Sequence, residues 1–389
     1  MRILITSWGS YGDVYPYVGL GLALRERGDR PVIATAEFYR PFIESLGFEF
    51  HPVGPMIDPN DRELIARVLD PVRGHDVLLK GILMPALRSD HAALDRAVQD
   101  VDGMVTHPIT FAAPIVAQAR GLPWVSTVLA PMSFFSPTDI PVLAPAPFLA
   151  PLGRLGPWYG HLMARFARHH TRAWMKPVFD LRRDLGLPPG EHPLFEGQFS
   201  PMLTLALFSR VLGEPQPDWP PNVRVTGFIF YNGPDGLSPE LEAFLDAGPP
   251  PIVFTLGTSA VAAAGRFYEE SIAAVRRLGV RAVLLTGGFE QNRPSGALPP
   301  GVMSARVVRL GVARSVLPRQ YRGARVAKEL ERLLADTTVS SRAAEAAGVV
   351  RSEGGSGAAA AAIQHACATF VRGNANDSRH VSYKERLDA

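Results

Sequence analysis

Residues able to perform acid-base chemistry follow the first predicted strand. The apolar run 3–6 leads into a loop that contains Ser10, Gly12 and Asp13, and an apolar helix follows over residues 20–24. In an open sheet with helices on both faces, ligands bind beyond the carboxyl ends of the strands, where a carboxylate is well placed to accept a proton. Asp is also a common helix N-cap, so a purely structural role for Asp13 stays open at this point.

A second loop has the composition of a diphosphate site. Gly257, Thr258 and Ser259 follow a predicted strand and precede a helix predicted over 261–278. Backbone amides, two hydroxyls and a helix amino terminus can together bind a diphosphate, and Gly287, at the end of the next predicted strand, joins these candidates. Capping of the helix by Thr258 or Ser259 is the alternative. Neither loop contains the Gly-x-Gly-x-x-Gly fingerprint of a nicotinamide dinucleotide site.

A proline-rich, aromatic segment over 131–158 is predicted to line a cleft. Proline cannot join a sheet ladder, but it gives a loop stiff walls, and Phe134 and Phe135 supply apolar surface. A rigid surface connector would have the same composition, so that alternative stays open. His107, at the end of another predicted strand, is a secondary candidate for the same cleft, and an ordinary polar strand end is its alternative.

Short apolar runs alternate with helical patterns through the first half of the chain, which predicts an α/β fold with a mostly parallel, doubly wound sheet. The predicted strands are residues 2–7, 31–36, 48–53, 101–106 and 124–129, and the predicted crossover helices are 15–27, 39–46, 85–99 and 110–120. The segment 213–221 has the composition of a linker, and a second series of strands and helices follows it. Two domains, 1–213 and 214–389, are therefore predicted.

The overall composition is that of an ordinary folded protein. Of 389 residues, 47% are hydrophobic and 20% are charged, and the length predicts about two domains. The net charge of +3 does not support a nucleic-acid-binding protein. The single cysteine, Cys367, excludes an internal disulfide, and the lack of a signal peptide pattern or membrane span in the sequence predicts a cytoplasmic location.

Two clusters of basic residues have plainer explanations than a binding site. The arginines between 306 and 325 favour a solvated helix face, although peripheral membrane contact remains an alternative. The adjacent His169 and His170 diverge on a helix, which is not the geometry of a metal-binding pair, and no metal site is predicted.

Three segments together resemble one family of enzymes. Residues 9–13, with Pro16 and the apolar helix behind them, are similar to the amino-terminal loop of bacterial GT-B nucleotide-sugar-dependent glycosyltransferases, the UDP-glycosyltransferase-like class that modifies antibiotics and sterols. Residues 251–259 resemble the opening of the donor domain in that family, and residues 220–227 resemble the approach to it. The resemblance spans about residues 1–350, and the first loop is its most specific part.

The resemblance implies a fold and an activity. Two Rossmann-like domains would face a cleft and transfer a hexose from a nucleotide sugar to a hydroxyl of a lipophilic acceptor, with Asp13 as the general base. A UDP- or dTDP-hexose would be the co-substrate, and no other cofactor is implied. The residues assigned to the donor are Ser10, Gly12, Gly257, Thr258, Ser259 and Gly287, and those assigned to the acceptor are His107, Phe134 and Phe135.

The second half of the chain departs from the family pattern. The family carries a His-Gly-Gly loop and an Asp-Gln pair in its donor domain, whereas this chain has only His365 and His380 after position 300 and contains no Asp-Gln pair. A strand, a helix and another strand, roughly 45 residues, are predicted to be missing after Ser304. The donor domain is thus predicted to be truncated, and a catalytically inactive remnant that binds a lipophilic ligand is the alternative function.

Two features of the carboxyl-terminal region bear on that prediction. The glycine-rich stretch 354–357 is predicted to be a turn between helices, with a rebuilt phosphate loop as the alternative, because no strand precedes it. The tail 374–389 is polar and unpatterned, so it is expected to be disordered and not to supply the final helix that packs back on the first domain in this fold.

Overall fold

The structure is a computed structural model that describes residues 1–58, 61–70, 72–139, 149, 152–153, 155–233, 236–287, 289, 292, 302–305 and 320–385. Of residues 302–305, 337 and 372–385 it describes the backbone. Of the basic cluster, the arginines at 306, 309, 314 and 319 lie outside the described residues.

Seven parallel strands form the first sheet, in the order β3-β2-β1-β4-β5-β6-β7. The strands are β1 (Arg2–Thr6), β2 (Arg30–Thr35), β3 (Glu49–Pro52), β4 (Gly103–Thr106), β5 (Trp124–Val128), β6 (Thr204–Ala206) and β7 (Val223–Val225). The helices of this half are α1 (Tyr11–Glu26), α2 (Arg40–Ser45), α3 (Arg62–Val68), α4 (Met84–Ala97), α5 (Ala112–Arg120), α6 (Pro157–Arg172) and α7 (Lys176–Asp184). A π-helix (Asp76–Leu83) leads into α4, and 3-10 turns lie at Glu37–Tyr39, Pro131–Phe134 and Glu196–Gln198.

The predicted α/β class and doubly wound parallel sheet are confirmed, because the short apolar runs form parallel strands that are mostly buried, apart from the edge strand β3. All residues of β4 and β5 are buried, as expected for strands covered on both faces.

One boundary differs in a way that matters for the chemistry. Helix α1 begins at Tyr11 and not at residue 15, so Asp13 lies in the first helical turn.

The strand order reverses direction between β1 and β4. The chain moves from β1 outward through β2 and β3, and then returns to place β4 on the other side of β1, with Ile3 opposite Gly103 and Ile5 opposite Val105. Loops that follow such neighbouring strands leave the sheet in opposite directions and open a crevice between them. The loop after β1 and the loop after β4 therefore form the walls of this crevice.

A smaller parallel sheet, ordered β10-β9-β8, forms the second part of the molecule. Its strands are β8 (Ile252–Phe254), β9 (Ala282–Leu285) and β10 (Val302–Ala305). The helices are α8 (Pro239–Asp246), α9 (Gly257–Ala260), α10 (Phe267–Leu278), α11 (Gly323–Ala335), α12 (Thr337–Ser352) and α13 (Gly355–Glu385), and a 3-10 turn lies at Val261–Ala263. The helix predicted over 261–278 thus begins at Phe267. Within the described residues this sheet has three strands against seven in the first.

The last helix, α13, packs on the first half of the molecule. Ala359, Ala360 and Ile363 are fully buried in the core that also contains α1, and Gln364 bridges Arg27 and Asp29. These contacts come from the alanine-rich residues before 374, whereas the expectation concerned the tail 374–389. Residues 374–385, expected to be disordered, are helical.

The glycine-rich stretch is the start of that helix. Gly354 lies between α12 and α13, and the amide of Gly355 donates to the carbonyl oxygen of Thr226 at 2.8 Å. The predicted turn between two helices is thus found at Gly354, whereas residues 355–357 belong to α13. Among the described residues, no helix is long and apolar enough to cross a membrane.

The predicted boundary between residues 213 and 214 falls inside the first sheet, because β7 lies beyond it and pairs with β6. Glu353 adds another tie between the halves, since its carboxylate accepts hydrogen bonds from the hydroxyl of Ser209 and the amide of Arg210.

Candidate active site

The cap of helix α1 holds Asp13 in a fixed orientation. Ser10 is the N-cap residue and Asp13 occupies the third helical position, so the two residues form a reciprocal capping box. The Oδ2 atom of Asp13 accepts hydrogen bonds from the amide of Ser10 at 2.8 Å and from its hydroxyl at 3.0 Å. Asp13 is therefore not the N-cap considered from the sequence, but it takes part in the cap from the third helical position and uses one carboxylate oxygen for it.

Gly9 is required for this arrangement. Its φ of +137° favours glycine, and a Cβ atom at this position would lie 2.4 Å from Oδ2 of Asp13. The carboxylate is therefore packed directly against the backbone of the loop.

The other oxygen of Asp13 faces the loop that follows β4. Its Oδ1 atom lies 3.7 Å from Nε2 of His107, whose side chain is 5% exposed. The Nδ1 atom of His107 accepts a hydrogen bond from the amide of Ile109 at 3.3 Å, which leaves Nε2 to carry the proton of the neutral ring. The crevice between β1 and β4 brings these two residues together.

The surroundings keep Asp13 ionised at neutral pH. Burial disfavours the charged form, but the neighbouring His107 and the hydrogen bonds from Ser10 outweigh it, and the pKa of Asp13 is lowered below its usual range. A carboxylate in this state can accept a proton, and its Oδ1 atom is the oxygen that the cap leaves available.

The two candidate loops touch. The Oγ1 atom of Thr258 lies 2.9 Å from Oγ of Ser10 and accepts a hydrogen bond from the amide of Gly12 at 3.0 Å. Because the hydroxyl of Ser10 donates to Asp13, the hydroxyl of Thr258 must donate to Ser10. A chain of hydroxyls therefore runs from the second half of the molecule to the carboxylate.

The remaining glycines of the predicted donor set have backbone roles. Gly257 has a φ of +73°, and Gly287 has a φ of +67°, with a Cβ position only 2.8 Å from Val261. Ser259 follows Thr258 in α9, and among the described residues its side chain makes no hydrogen bond. Because α9 has four residues and the longer helix starts at Phe267, this loop does not open a long helix as predicted.

A cavity of about 610 Å³ adjoins the crevice and includes all three residues assigned to the acceptor. His107 forms part of its wall, as do Phe134 and Phe135, so the structure brings these residues together. Phe134 stacks on Trp219 with ring centroids 4.1 Å apart, and Phe135 lies 4.9 Å from Phe195. Phe135 has a φ of 49°, the only positive value outside glycine among the described residues.

Several residues of this wall were not predicted from the sequence. Phe195 and Trp219 extend its aromatic surface, and Arg182 of α7 contributes a buried guanidinium. One signal for Arg182 was available, because it follows Val178 by four positions and shares its helical face, whereas Arg183 does not. Among the described residues, no group of three or more histidine, cysteine or acidic side chains is placed to bind a metal ion.

Comparisons with known proteins give consistent results. No protein-family model matches the chain. It is 34% identical over 310 residues to O-mycaminosyltylonolide 6-deoxyallosyltransferase of Streptomyces fradiae, a match that covers 77% of this chain and 70% of that enzyme. Two solved glycosyltransferases share the fold. The calicheamicin glycosyltransferase CalG4 matches with a TM-score of 0.65 and 17% identity, and the match covers 95% of this chain and 98% of CalG4. VinC, solved with dTDP, matches with a TM-score of 0.61 and 17% identity, and the match covers 95% of this chain and 100% of VinC. This chain belongs to the GT-B glycosyltransferases, the hexosyltransferases that use a nucleotide sugar as donor.

Proposed function

We propose that the protein transfers a hexose from a nucleotide-diphosphate sugar to a hydroxyl group of a lipophilic small molecule, with Asp13 as the general base. The observation that carries this proposal is the contact of Ser10 and Gly12 with Thr258, which brings the loop of the proton acceptor against the loop proposed to hold the donor. Neither the geometry nor the similarity to active transferases favours the inactive remnant.

The proposed reaction follows from the two oxygens of Asp13. Its Oδ2 atom is held by Ser10, and its Oδ1 atom lies beside His107, which also lines the cavity. An acceptor hydroxyl in the cavity, near His107, would give its proton to Oδ1 while its oxygen bonds to the anomeric carbon of the sugar. The bond from that carbon to the diphosphate breaks, and the diphosphate leaves with the electron pair.

The leaving group is proposed to lie beside Gly257, Thr258 and Ser259. Hydroxyl and amide donors aimed at a developing diphosphate charge stabilise the transition state more than the ground state. The Streptomyces relative is named for the transfer of a 6-deoxyallosyl group, which supports a deoxyhexose as the sugar. The neighbour solved with dTDP supports a thymidine nucleotide beside UDP as a donor candidate.

Titration calorimetry with UDP-glucose and dTDP-glucose tests the donor part of the proposal, and release of free nucleotide in the presence of hydroxylated aromatic compounds tests the transfer. Asp13→Asn is expected to keep donor binding and to lower kcat by about 10²–10⁴-fold, the usual contribution of a general base. Asp336→Asn, which changes another helix-capping aspartate, is the matched control and should keep full activity. Lack of donor binding by the wild-type protein would overturn the proposal.

We further propose that helix α6 contacts membrane surfaces. Trp158, Leu162 and Phe166 follow one another at intervals of four and are 60%, 53% and 62% exposed. The helix also carries three arginines and no carboxylate, which complements an anionic lipid surface. Arg168, one of them, lines the cavity, so a membrane-bound α6 would place the cavity beside the bilayer.

Co-sedimentation with vesicles of phosphatidylglycerol and phosphatidylcholine tests this contact. The wild-type protein is expected to bind vesicles that contain phosphatidylglycerol, and Trp158→Ser/Phe166→Ser is expected to abolish the binding. Val211→Ser, at another exposed apolar position, is the control. Equal binding of all three proteins would contradict the contact. The cytoplasmic location stays a prediction.

A further inference from the structure

Arg182 is a cation buried in the wall of the large cavity. Its residue is 8% exposed, and it follows Val178, which lines the same cavity, by one helical turn of α7. Its Nε atom donates to the carbonyl oxygen of Pro188 at 2.9 Å. The next residue, Arg183, is 71% exposed and pairs with Asp180 at 3.0 Å, as an ordinary surface arginine does.

Among the described residues, Arg182 has no carboxylate within ion-pairing distance. The other arginine of the cavity, Arg168, donates from its Nε atom to Glu196 at 2.7 Å, and the carboxylate of Asp218 is occupied by Ser136 and Thr138. Burial alone lowers the pKa of Arg182. Most of the guanidinium is removed from water and the protein supplies no counter-charge, so an anion bound in the cavity would be stabilised beside Arg182.

The backbone is shaped around this side chain. Gly190 also lines the cavity, has a φ of +73°, and would place a Cβ atom 2.7 Å from Nε and 2.8 Å from Cζ of Arg182. Together with the hydrogen bond to Pro188, this contact holds the guanidinium in one position. With Nε engaged, the two terminal nitrogens remain, and a planar carboxylate can accept hydrogen bonds from both of them.

We propose that the acceptor carries a carboxylate that pairs with Arg182, so that the enzyme acts on hydroxylated aromatic or otherwise apolar carboxylic acids. The inference rests on the proposed function, because it assigns the large cavity to the acceptor. The carboxylate lies at Arg182, the apolar body lies against Phe134 and Phe195, and the reacting hydroxyl points toward His107 and Asp13. The charged end thus fixes which hydroxyl reaches the base.

Calorimetric titration of the full chain with 6-hydroxy-2-naphthoate and with its methyl ester tests the pairing. The wild-type protein is expected to bind the acid at least ~10-fold more tightly than the ester, as a hydrogen-bonded charge pair implies. Arg182→Gln should bring the affinity for the acid down to that for the ester and leave the ester unchanged. Arg182→Lys, which keeps the charge but loses the planar fork, should retain part of the preference.

Arg183→Gln is the matched control, since it removes the neighbouring arginine from the surface, and its preference for the acid should equal that of the wild type. Equal binding of acid and ester by the wild-type protein, or no binding of either, overturns the proposal. So does an equal loss of both affinities in Arg182→Gln, which is the result expected of a purely structural arginine. If that variant does not fold, the wild-type preference and Arg182→Lys decide. No donor is present, so failure of sugar transfer would not affect the result.

Discussion

The hydroxyl oxygen of Thr258 lies 2.9 Å from that of Ser10, although 248 residues separate them in the chain. The hydroxyl of Ser10 in turn donates a hydrogen bond to Asp13, the residue proposed to accept the proton of the acceptor. The position of Thr258 in the second half of the molecule is therefore linked to the orientation of the Asp13 carboxylate in the first half. Binding of a donor beside Thr258 would act on the same hydroxyl chain.

Adding a methyl group at Gly12 should disturb this contact. A Cβ atom at Gly12 would lie 2.9 Å from Oγ1 of Thr258, and a misfit of this size costs roughly 1–3 kcal/mol. Gly12→Ala is expected to lower kcat/KM for sugar transfer by about 10-fold or more. The loss should be smaller in a Thr258→Ala background, which removes the oxygen, and it should persist with Thr258→Val, which keeps the volume. Equal losses in the two backgrounds would contradict the contact.

Replacing His107 should shift the pH dependence of transfer. His107 lowers the pKa of Asp13, so His107→Asn is expected to raise that pKa. Asp13 would then become protonated at a higher pH, and the acidic limb of the kcat/KM profile would move upward in pH. The profile of His51→Gln, a change at a half-buried histidine paired with Glu49, should match the wild type. An unchanged acidic limb in His107→Asn would show that the 3.7 Å pair does not affect the base.

Asp90 should make the folded state less stable as the pH rises. Burial raises the pKa of Asp90 to about 6. Between about pH 4 and pH 6 the folded state therefore keeps a proton that the unfolded state has released. The free energy of unfolding consequently falls as the pH rises through this window. Asp90→Asn keeps an acceptor for the amide of Gly54 and should gain about 2 kcal/mol at neutral pH, with little change below pH 4.

Asp95, on the same helix, provides a control of opposite sign. Its pairing with Arg120 lowers its pKa, so the stability it contributes is present above the unfolded pKa and is lost as the pH falls. Asp95→Asn should therefore destabilise the protein most at neutral pH. Thermal unfolding of the variants across the pH range measures both effects, and shifts of the same sign would contradict the assignment.

The second half of the molecule should open before the first. Its sheet has three strands among the described residues, and Val253 of its edge strand β8 is 45% exposed. Limited proteolysis followed by mass spectrometry is expected to cut first between residues 236 and 335, while α13 stays with the first half through its buried alanines. Simultaneous digestion of both halves would contradict this order.

Local patterns in the sequence were sufficient for the fold class and for the two loops. Strand and helix periodicity predicts the parallel sheet, and small polar residues at the ends of β1 and β8 indicate where a ligand would bind, because these properties depend on residues close together in the chain. A helix after the glycine-rich stretch was predicted, but its packing on the first half was not, because the apolar face of α13 consists mainly of alanine and its partner α1 lies at the other end of the chain.

Contacts between residues distant in the chain were determined by the tertiary structure alone. The pairing of β1 with β4 places His107 beside Asp13, and the meeting of the two halves places Thr258 on Ser10. The spacing from Val178 places Arg182 and Arg183 on different helical faces, but only the packing of α7 shows that Arg182 is buried without a counter-charge. Hydrogen-bond partners, charge pairs and desolvation depend on which distant segments come together, and the topology of the sheet determines that.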